Sequence, residues 1–204
     1  MSSISKARLV AAGVASSVLL MLGSAGAADA RPAADWQATA AASAPAYATW
    51  IADVTAITTP AAQYLEQRLG VPGGRPAIVL DIDNTSLETY YSGGLTTPAV
   101  KPVLALATLA KAKGTAVFFV SDRTELLRWP TEGNLKAVGY AFDGLYLRPL
   151  FNFDPVQANK TKARAAIEQA GYTIVANIGN NTTDLDGGHA ERTFKLPDYG
   201  GTLS

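Results

Sequence analysis

Short apolar runs alternate with segments of helical periodicity along most of this sequence. A continuous apolar run that is bounded by polar or turn residues is typical of a strand buried on both faces of a sheet. Strands that alternate with helices form a mostly parallel sheet connected by right-handed crossovers. We therefore predict an α/β fold, a parallel sheet flanked by helices, with strands at 77–80, 116–120, 145–147, 173–178 and 193–196 and helices at 98–113, 124–138 and 156–170.

Three of the predicted strands end directly in a residue that suits a binding site. Asp81, Ser121 and Gly179 each follow an apolar run without an intervening residue. Open α/β sheets bind their ligands outside the carboxyl ends of the strands. Three such strand ends together predict a functional site at that edge more strongly than any one of them alone.

The first of these strand ends carries two carboxylates, Asp81 and Asp83. Residues two apart on an extended strand point to the same side, so both carboxylates can reach one site. Two carboxylates held close together repel each other unless a cation lies between them or one is protonated. The pair is therefore a candidate metal site, or a nucleophile beside its general acid. The alternative is an acidic turn that Asn84 and Thr85 cap locally.

The composition excludes several classes of site and partner. The chain has no Cys and one His, which rules out disulfides, thiolate zinc sites, iron–sulfur clusters and sites built from several histidines. Its 17 basic and 17 acidic residues leave no net charge, and this disfavours nucleic acid as a partner. Catalysis must then rest on carboxylates, hydroxyls, Lys and Arg, with an oxygen-bound hard metal ion as the candidate cofactor.

The N-terminal residues have the layout of an export signal. Lys6 and Arg8 precede an uncharged, largely apolar run over 9–28, and A-x-A cleavage patterns end at Ala27 and Ala30. The alternative is an uncleaved membrane anchor, since about 20 residues can span a bilayer. With a cleaved signal, the mature protein is secreted or extracytoplasmic and keeps no stable membrane anchor. We predict a signal peptide at 1–30, an N-terminal helical segment at 31–75 and the α/β core at 76–204.

The residues at the strand ends resemble, in order, the four motifs of the haloacid dehalogenase (HAD) superfamily, whose fold is a Rossmann-like parallel sheet. A further segment near the end of the chain resembles the tail of the subfamily IIIB acid phosphatases, a group that includes plant vegetative storage proteins and bacterial secreted phosphatases. The resemblance extends from about Ala77 to Asp198. Its motifs are D-x-D-x-T at 81–85, a strand ending in Ser-Asp-Arg at 118–123, Asn-Lys-Thr at 159–161, a Gly-containing loop at 178–185, and the tail at 192–197.

The resemblance implies a role for each motif. Asp81 would be the nucleophile that forms an aspartyl-phosphate, and Asp83 the general acid for the leaving alcohol and then the base for water. A divalent cation and a Lys ammonium suit this chemistry because a carboxylate and a phosphate dianion repel each other. The phosphoryl oxygens would be held by Ser121, Asp122, Arg123 and Lys160, and Mg²⁺ by Asp81, the main-chain carbonyl of Asp83, Asn180 and Asp184.

The fourth motif departs from the family pattern. The family usually has Gly-Asp where this chain has Gly179 and Asn180, whereas Asp184 is retained. An amide keeps an oxygen for a metal but has no charge, so we expect a weakened Mg²⁺ site. The short stretch between the first motif and Pro98 leaves room for a small cap only. The helical segment at 31–75, with a break at Thr59–Pro60, is therefore expected to cover the site.

Three functions stay open on the sequence alone. The first is an exported Mg²⁺-dependent acid phosphatase that acts on a small phosphomonoester. The second is a storage or phosphate-binding protein on the same scaffold, which Asn180 favours. The third is phosphotransfer to an alcohol instead of water. Tyr90 and Tyr91 are candidates either for stacking on a substrate ring or for packing, and no oligomeric state is indicated.

Overall fold

The structure is a computed structural model, and it describes residues 43–69 and 73–204. The proposed signal peptide at 1–30 lies outside the described residues. Strands and helices alternate in the predicted order. The elements are α1 (Tyr47–Arg68), β1 (Pro76–Leu80), α2 (Lys101–Ala112), β2 (Ala116–Thr124), α3 (Arg128–Ala137), β3 (Gly144–Arg148), α4 (Val156–Gln169), β4 (Thr173–Gly179), α5 (Thr182–Leu185) and β5 (Thr193–Lys195).

The five strands form one parallel sheet in the order β3-β2-β1-β4-β5. Val79 in the central strand β1 lies opposite Phe118 of β2 and Asn177 of β4. The chain adds β2 and β3 on one side of β1 and then returns to add β4 on the other side. The connections therefore diverge between β1 and β4, and a crevice at such a switch point is where open α/β sheets bind ligands.

Helices cover both faces of the sheet, as expected for parallel strands. Ile78 and Leu80 of β1 belong to the larger apolar core, which includes Trp50 of α1 together with residues of α2 and α3. Ala77 and Val79 point to the opposite face and belong to the smaller core, which includes Ile167 of α4. The alternation along β1 thus places α1, α2 and α3 on one face and α4 on the other.

Helix α1 continues through Pro60, contrary to the expected break at Thr59–Pro60. The buried residues of α1 recur every three to four positions on both sides of the proline: Trp50, Val54, Thr58, Ala61 and Leu65. Pro60 lies on the exposed side of the helix. Packing of this continuous stripe onto the core outweighs the loss of one backbone hydrogen bond at the proline.

Within residues 43–69 and 73–204, none of the helices combines the length and the apolar character that a membrane span requires.

The segment after β2 also differs from the prediction. The strand runs on to Thr124, which pairs with Arg148 of β3 beyond an irregularity in the register. A single 3-10 turn at Glu125–Leu127 then leads into α3, so that Pro130 falls in the first turn of that helix. A proline is tolerated there because the first turn has no intrahelical acceptor for its missing N–H. The helix predicted at 124–138 therefore begins only at Arg128.

Candidate active site

A cavity of about 610 Å³ opens at the carboxyl edge of the sheet. No residue of α1 lines it, so the described part of the N-terminal helical segment does not cover the site. Residues 31–42 and 70–72 of that segment lie outside the described residues. Asn180 and Asp184 lie behind the cavity wall and are almost completely buried. The other six predicted site residues line the cavity: Asp81, Asp83, Ser121, Asp122, Arg123 and Lys160.

Lys160 joins two carboxylates at the floor of this cavity. Its ammonium lies 2.8 Å from Asp81 Oδ1 and 2.5 Å from Asp184 Oδ1, and all three side chains are at least nine-tenths buried. Burial raises the pKa of Asp81 to about 7; the charge of Lys160 opposes this rise, and the carboxylate of Asp184 adds to it. Burial alone would lower the pKa of Lys160, but the two carboxylates hold it above its ordinary value.

Asp184 is held in place through its main chain as well as its side chain. The Asn181 N–H donates to Asp184 Oδ2 at 2.8 Å. The Asp184 carbonyl accepts from Asn177 Nδ2 at 2.8 Å and from Arg164 Nη1 at 2.6 Å. The fully buried Arg164 also donates to the carbonyls of Gly188 and Asp186. Sequence reasoning did not assign Arg164 or Asn177 to the site, because nothing local indicates that their partners are main-chain carbonyls.

Gly179, at the end of β4, is predicted to be indispensable for this arrangement. In Gly179→Ala, the new Cβ would lie within 2.7 Å of the Asp184 carboxyl carbon. The side chain of Asp184 would have to move, so we expect a loss of about 1–3 kcal/mol in the free energy of unfolding, together with reduced turnover. Urea denaturation measures the change in the free energy of unfolding, and steady-state kinetics measure turnover.

Gly133→Ala in α3 is the matched control, because its Cβ meets nothing within 4 Å. Alanine is favoured over glycine in a helix, so this variant is expected to gain about 0.5–1 kcal/mol. Equal stability of Gly179→Ala and the wild type would show that Asp184 can shift freely.

Asp83 forms an ion pair with Arg123 at the wall of the cavity. Arg123 Nη2 and Nε lie 2.7 and 2.9 Å from the two carboxylate oxygens of Asp83, and the Thr89 hydroxyl donates to Asp83 Oδ1 at 2.7 Å. Burial alone would raise the pKa of Asp83, but the hydrogen bonds and charge of Arg123 hold it below its ordinary value. The guanidinium therefore faces a carboxylate, a pairing that the sequence did not indicate.

The remaining predicted phosphate ligands differ in what they can offer an anion. Ser121 lies at the cavity wall and accepts a hydrogen bond from the Arg123 N–H at 3.3 Å through its hydroxyl oxygen. Its hydroxyl hydrogen is free to rotate toward a ligand. Asp122 forms a long ion pair with Arg148, 3.6 Å between Nε and Oδ1. A carboxylate repels a phosphate, so the Asp122 side chain does not attract such a ligand.

Asn180 uses its side chain within the protein. Its Nδ2 donates to the carbonyl of Leu203 at 2.7 Å, and its Oδ1 accepts from the Thr85 hydroxyl at 3.2 Å. The Asn181 amide also donates to Oδ1 at 3.3 Å. These contacts give both ends of the Asn180 amide partners other than a ligand.

The donor set at the cavity floor has the chemistry of a small cation site. No three His, Asp or Glu side chains are grouped as a metal cluster within residues 43–69 and 73–204. Asp81 and Asp184, however, bring two buried negative charges to one ammonium. Mg²⁺ prefers oxygen ligands and is often held by only one or two carboxylates, with waters and substrate completing its shell. The chemistry of these residues therefore fits Mg²⁺, for which Asp81 and Asp184 could serve as side-chain ligands.

The two tyrosines after the first motif serve in packing. Tyr91 stacks on Trp50 of α1, with ring centroids 4.7 Å apart, and meets Tyr47 edge-on. Tyr90 is half-exposed and packs against Tyr91. Neither tyrosine lines the cavity. Stacking on a substrate ring is therefore not supported by their positions.

One protein-family model matches more than half of this chain. The model of the HAD superfamily, subfamily IIIB (acid phosphatase), matches residues 91–202. The match begins ten residues after Asp81, so the first motif lies outside it. The case for Asp81 and Asp83 therefore rests on the motif and on the geometry of the cavity.

Two plant proteins illustrate the sequence similarity of this chain to curated relatives. Vegetative storage protein 1 of Arabidopsis thaliana is 34% identical over 120 residues, which cover 57% of this chain and 44% of that protein. The stem 31 kDa glycoprotein of Glycine max is 35% identical over 128 residues, covering 59% and 43%. The matched segment thus spans less than half the length of these relatives.

Solved structures share the fold at low sequence identity. The class C acid phosphatase from Bacillus anthracis superimposes with a TM-score of 0.56 at 20% identity, covering 69% of this chain and 66% of that one. A chain of the Pnkp1/Rnl/Hen1 complex gives a TM-score of 0.54 at 20% identity, covering 60% and 45%. Likeness at this level of identity concerns the fold.

Proposed function

Since the chain belongs to the subfamily IIIB (acid phosphatase) family of the HAD superfamily, we propose that it is an exported, Mg²⁺-dependent phosphomonoesterase that acts on small substrates. The observation that carries the proposal is the contact of Lys160 with both Asp81 and Asp184 at the floor of the cavity. A buried ammonium in contact with the nucleophile lessens the repulsion between its carboxylate and an approaching phosphate. The cavity lining supplies further polar groups for phosphoryl oxygens.

In this proposal the reaction has two displacements at phosphorus. Asp81 attacks the phosphorus; an aspartyl-phosphate bond forms, and the bond to the alcohol oxygen breaks. The pairing with Arg123 keeps Asp83 ionised, so Asp83 takes up a proton from solvent once a bound phosphate draws Arg123 away. Asp83 then gives this proton to the departing alcohol. A water then attacks the aspartyl-phosphate and transfers a proton to Asp83, which releases inorganic phosphate and restores both carboxyl groups.

The basic and hydroxyl groups of the cavity hold the phosphoryl oxygens. Lys160 and the Ser121 hydroxyl lie at the cavity wall beside Asp81. Arg123 also has a planar fork of donors that fits phosphate as well as carboxylate. Arg123 is bound to Asp83, so a bound phosphate must share or take over this guanidinium and thereby release Asp83 to the leaving group.

Enzymes of the HAD superfamily generally use Mg²⁺. In this chain Asp81, Asp184 and the main-chain carbonyl of Asp83 would hold the ion. When bound, Mg²⁺ neutralises charge on the phosphate and on the carboxylates that face it. Asp81 and Lys160 keep their roles as nucleophile and phosphate ligand.

Hydrolysis of p-nitrophenyl phosphate between pH 5 and 8 tests the proposal directly. We expect turnover that rises with Mg²⁺ to millimolar concentrations and is lost on adding EDTA, because two carboxylates make a modest Mg²⁺ site. EDTA followed by excess Mg²⁺ is the control, and it is expected to restore the rate. The absence of turnover at saturating Mg²⁺ throughout this pH range would contradict the proposal.

A storage or phosphate-binding protein on the same scaffold is the second candidate. It is favoured by the amide at position 180 and by the similarity to plant vegetative storage proteins. Inorganic phosphate separates the two candidates. A binding protein takes up phosphate, measured by calorimetry, without releasing p-nitrophenol from the ester, whereas the phosphatase does both.

A further inference from the structure

One main-chain carbonyl near the end of the chain is held by two buried amides from different loops. The Leu203 carbonyl accepts a hydrogen bond from Asn84 Nδ2 at 2.9 Å and another from Asn180 Nδ2 at 2.7 Å. Asn84 belongs to the loop that follows β1 and Asp81. Asn180 belongs to the loop that joins β4 to Asp184. Leu203 is itself buried in the larger core, so this carbonyl ties both loops to the body of the protein.

The orientation of each amide is set by its other contacts. Asn84 Oδ1 accepts from the Tyr90 N–H at 2.7 Å, and Asn180 Oδ1 accepts from the Thr85 hydroxyl at 3.2 Å. Each oxygen thus faces a donor in the loops, and each NH₂ group faces Leu203. Asn84 also adopts a left-handed conformation, φ 53°, that Asn tolerates better than most residues. A carboxylate at either position has no hydrogen to donate to the carbonyl.

Residues 198–204 form a compact turn around this carbonyl, which we call the 198–204 clasp. The Leu203 N–H donates to the Asp198 carbonyl at 3.1 Å, and the Tyr199 hydroxyl donates to Asp53 of α1 at 2.7 Å. The Ser204 hydroxyl donates to Asn181 Oδ1 at 2.7 Å, and Ser204 lines the cavity. The clasp is therefore anchored to α1 at one end and contributes to the cavity wall at the other.

We propose that Asn84 and Asn180 are positioning residues, which act through the Leu203 carbonyl to hold the loops after β1 and β4 at the separation where Asp81 and Asp184 share Lys160. The functional part of this inference rests on the proposed phosphatase function. Asn180 then has an amide where the family has a carboxylate because its partner is a buried acceptor. The 198–204 clasp becomes a part of the active site.

The variant Asn180→Asp separates this role from that of a metal ligand. A metal ligand at position 180 would bind Mg²⁺ more tightly once it carried a charge. If Asn180 is instead a positioning residue, the variant places a buried carboxylate against the Leu203 carbonyl with no hydrogen between them. We expect a Tm lower by about 3–8 °C, a kcat lower by about 10-fold with a smaller change in KM, and no gain in Mg²⁺ affinity by calorimetry.

Asn134→Asp is the matched control. Asn134 of α3 makes an equivalent amide-to-carbonyl bond, Nδ2 to the Thr97 carbonyl at 2.7 Å, and does not line the cavity. It is expected to lower Tm in the same way while kcat stays unchanged. Tighter Mg²⁺ binding and a higher rate in Asn180→Asp would overturn the positioning role.

Hydrogen exchange tests the clasp without relying on activity. The N–H groups of Leu203 and Ser204 are hydrogen-bonded within the clasp. In Asn180→Asp we expect them to exchange at least about 10-fold faster than in the wild type, whereas Asn134→Asp leaves them unchanged. Unchanged exchange in Asn180→Asp would overturn the inference. An inactive wild type with this exchange pattern would refute the phosphatase function but leave the clasp standing.

Discussion

Asp81→Asn is expected to lower kcat for p-nitrophenyl phosphate by about 10⁴-fold and to leave the fold intact. An amide cannot form the acyl-phosphate, and removing a covalent nucleophile generally costs this much or more. Asn is nearly isosteric with Asp, and Lys160 keeps its hydrogen bond to Asp184 in the variant. Circular dichroism and the thermal midpoint measure the fold, and steady-state kinetics measure kcat.

Beryllofluoride binding provides a second readout for the same variant. This anion mimics an acyl-phosphate, so the wild type is expected to bind it in calorimetry and Asp81→Asn is not. Asp186→Asn is the matched control, because Asp186 is an exposed carboxylate that does not line the cavity; it is expected to behave as the wild type does. Undiminished hydrolysis by Asp81→Asn would remove the nucleophile from the proposal.

Lys160→Met is expected to have the second largest effect, on stability as well as on rate. It leaves Asp81 and Asp184 buried beside each other without their shared cation. Breaking a buried ion pair by removing one partner typically costs about 3–5 kcal/mol, because the remaining charge stays desolvated. Loss of a phosphate ligand at the nucleophile is expected to lower kcat by about 10³-fold as well. Urea denaturation and steady-state kinetics measure the two effects.

Lys162→Met on the same helix is the control for this variant. Lys162 is exposed and pairs with Asp154 at the surface, and exposed ion pairs contribute about 0–1 kcal/mol. The double variant Lys160→Met/Asp184→Asn is expected to regain part of the lost stability, since one of the two buried charges is gone. Equal stability of Lys160→Met and Lys162→Met would show that Lys160 does not neutralise the buried carboxylates.

Much of the sheet could be predicted because its signals are local. Ala77–Leu80 and Ala116–Val120 are apolar without interruption, and a strand buried on both faces needs nothing else from the sequence. The continuity of α1 through Pro60 could not be predicted in this way. A proline weakens a helix through local bonds, and only the packing of Trp50, Val54 and Leu65 on the core compensates for it.

The candidate site likewise combines residues that local motifs indicate with contacts that arise only in the folded protein. Asp81, Ser121 and Lys160 could be proposed because each occupies a recognisable motif, and parallel strands bring their carboxyl ends to one edge. The hydrogen-bond and ion-pair partners of these residues could not be proposed from the sequence. Arg123 follows Ser121 in sequence but binds Asp83, and Arg164 is buried against the carbonyls that follow β4. A side chain's partner depends on distances between segments that are far apart in the chain.

The order of the strands and helices follows from the sequence alone, as do the carboxylates of the motif after β1 and the lysine of the motif in α4. These properties follow from apolar patterning and from spacing within a few residues, which any chain segment carries locally. Three features of the site depend on the folded arrangement: Asp81 and Asp184 share one ammonium, Asp83 is paired with Arg123, and the amide of Asn180 is turned to Leu203. Charges and hydrogen bonds in a buried site take their energies from distance, orientation and burial. These are set by segments far apart in the chain, 79 residues for the contact of Asp81 with Lys160 and 119 for that of Asn84 with Leu203.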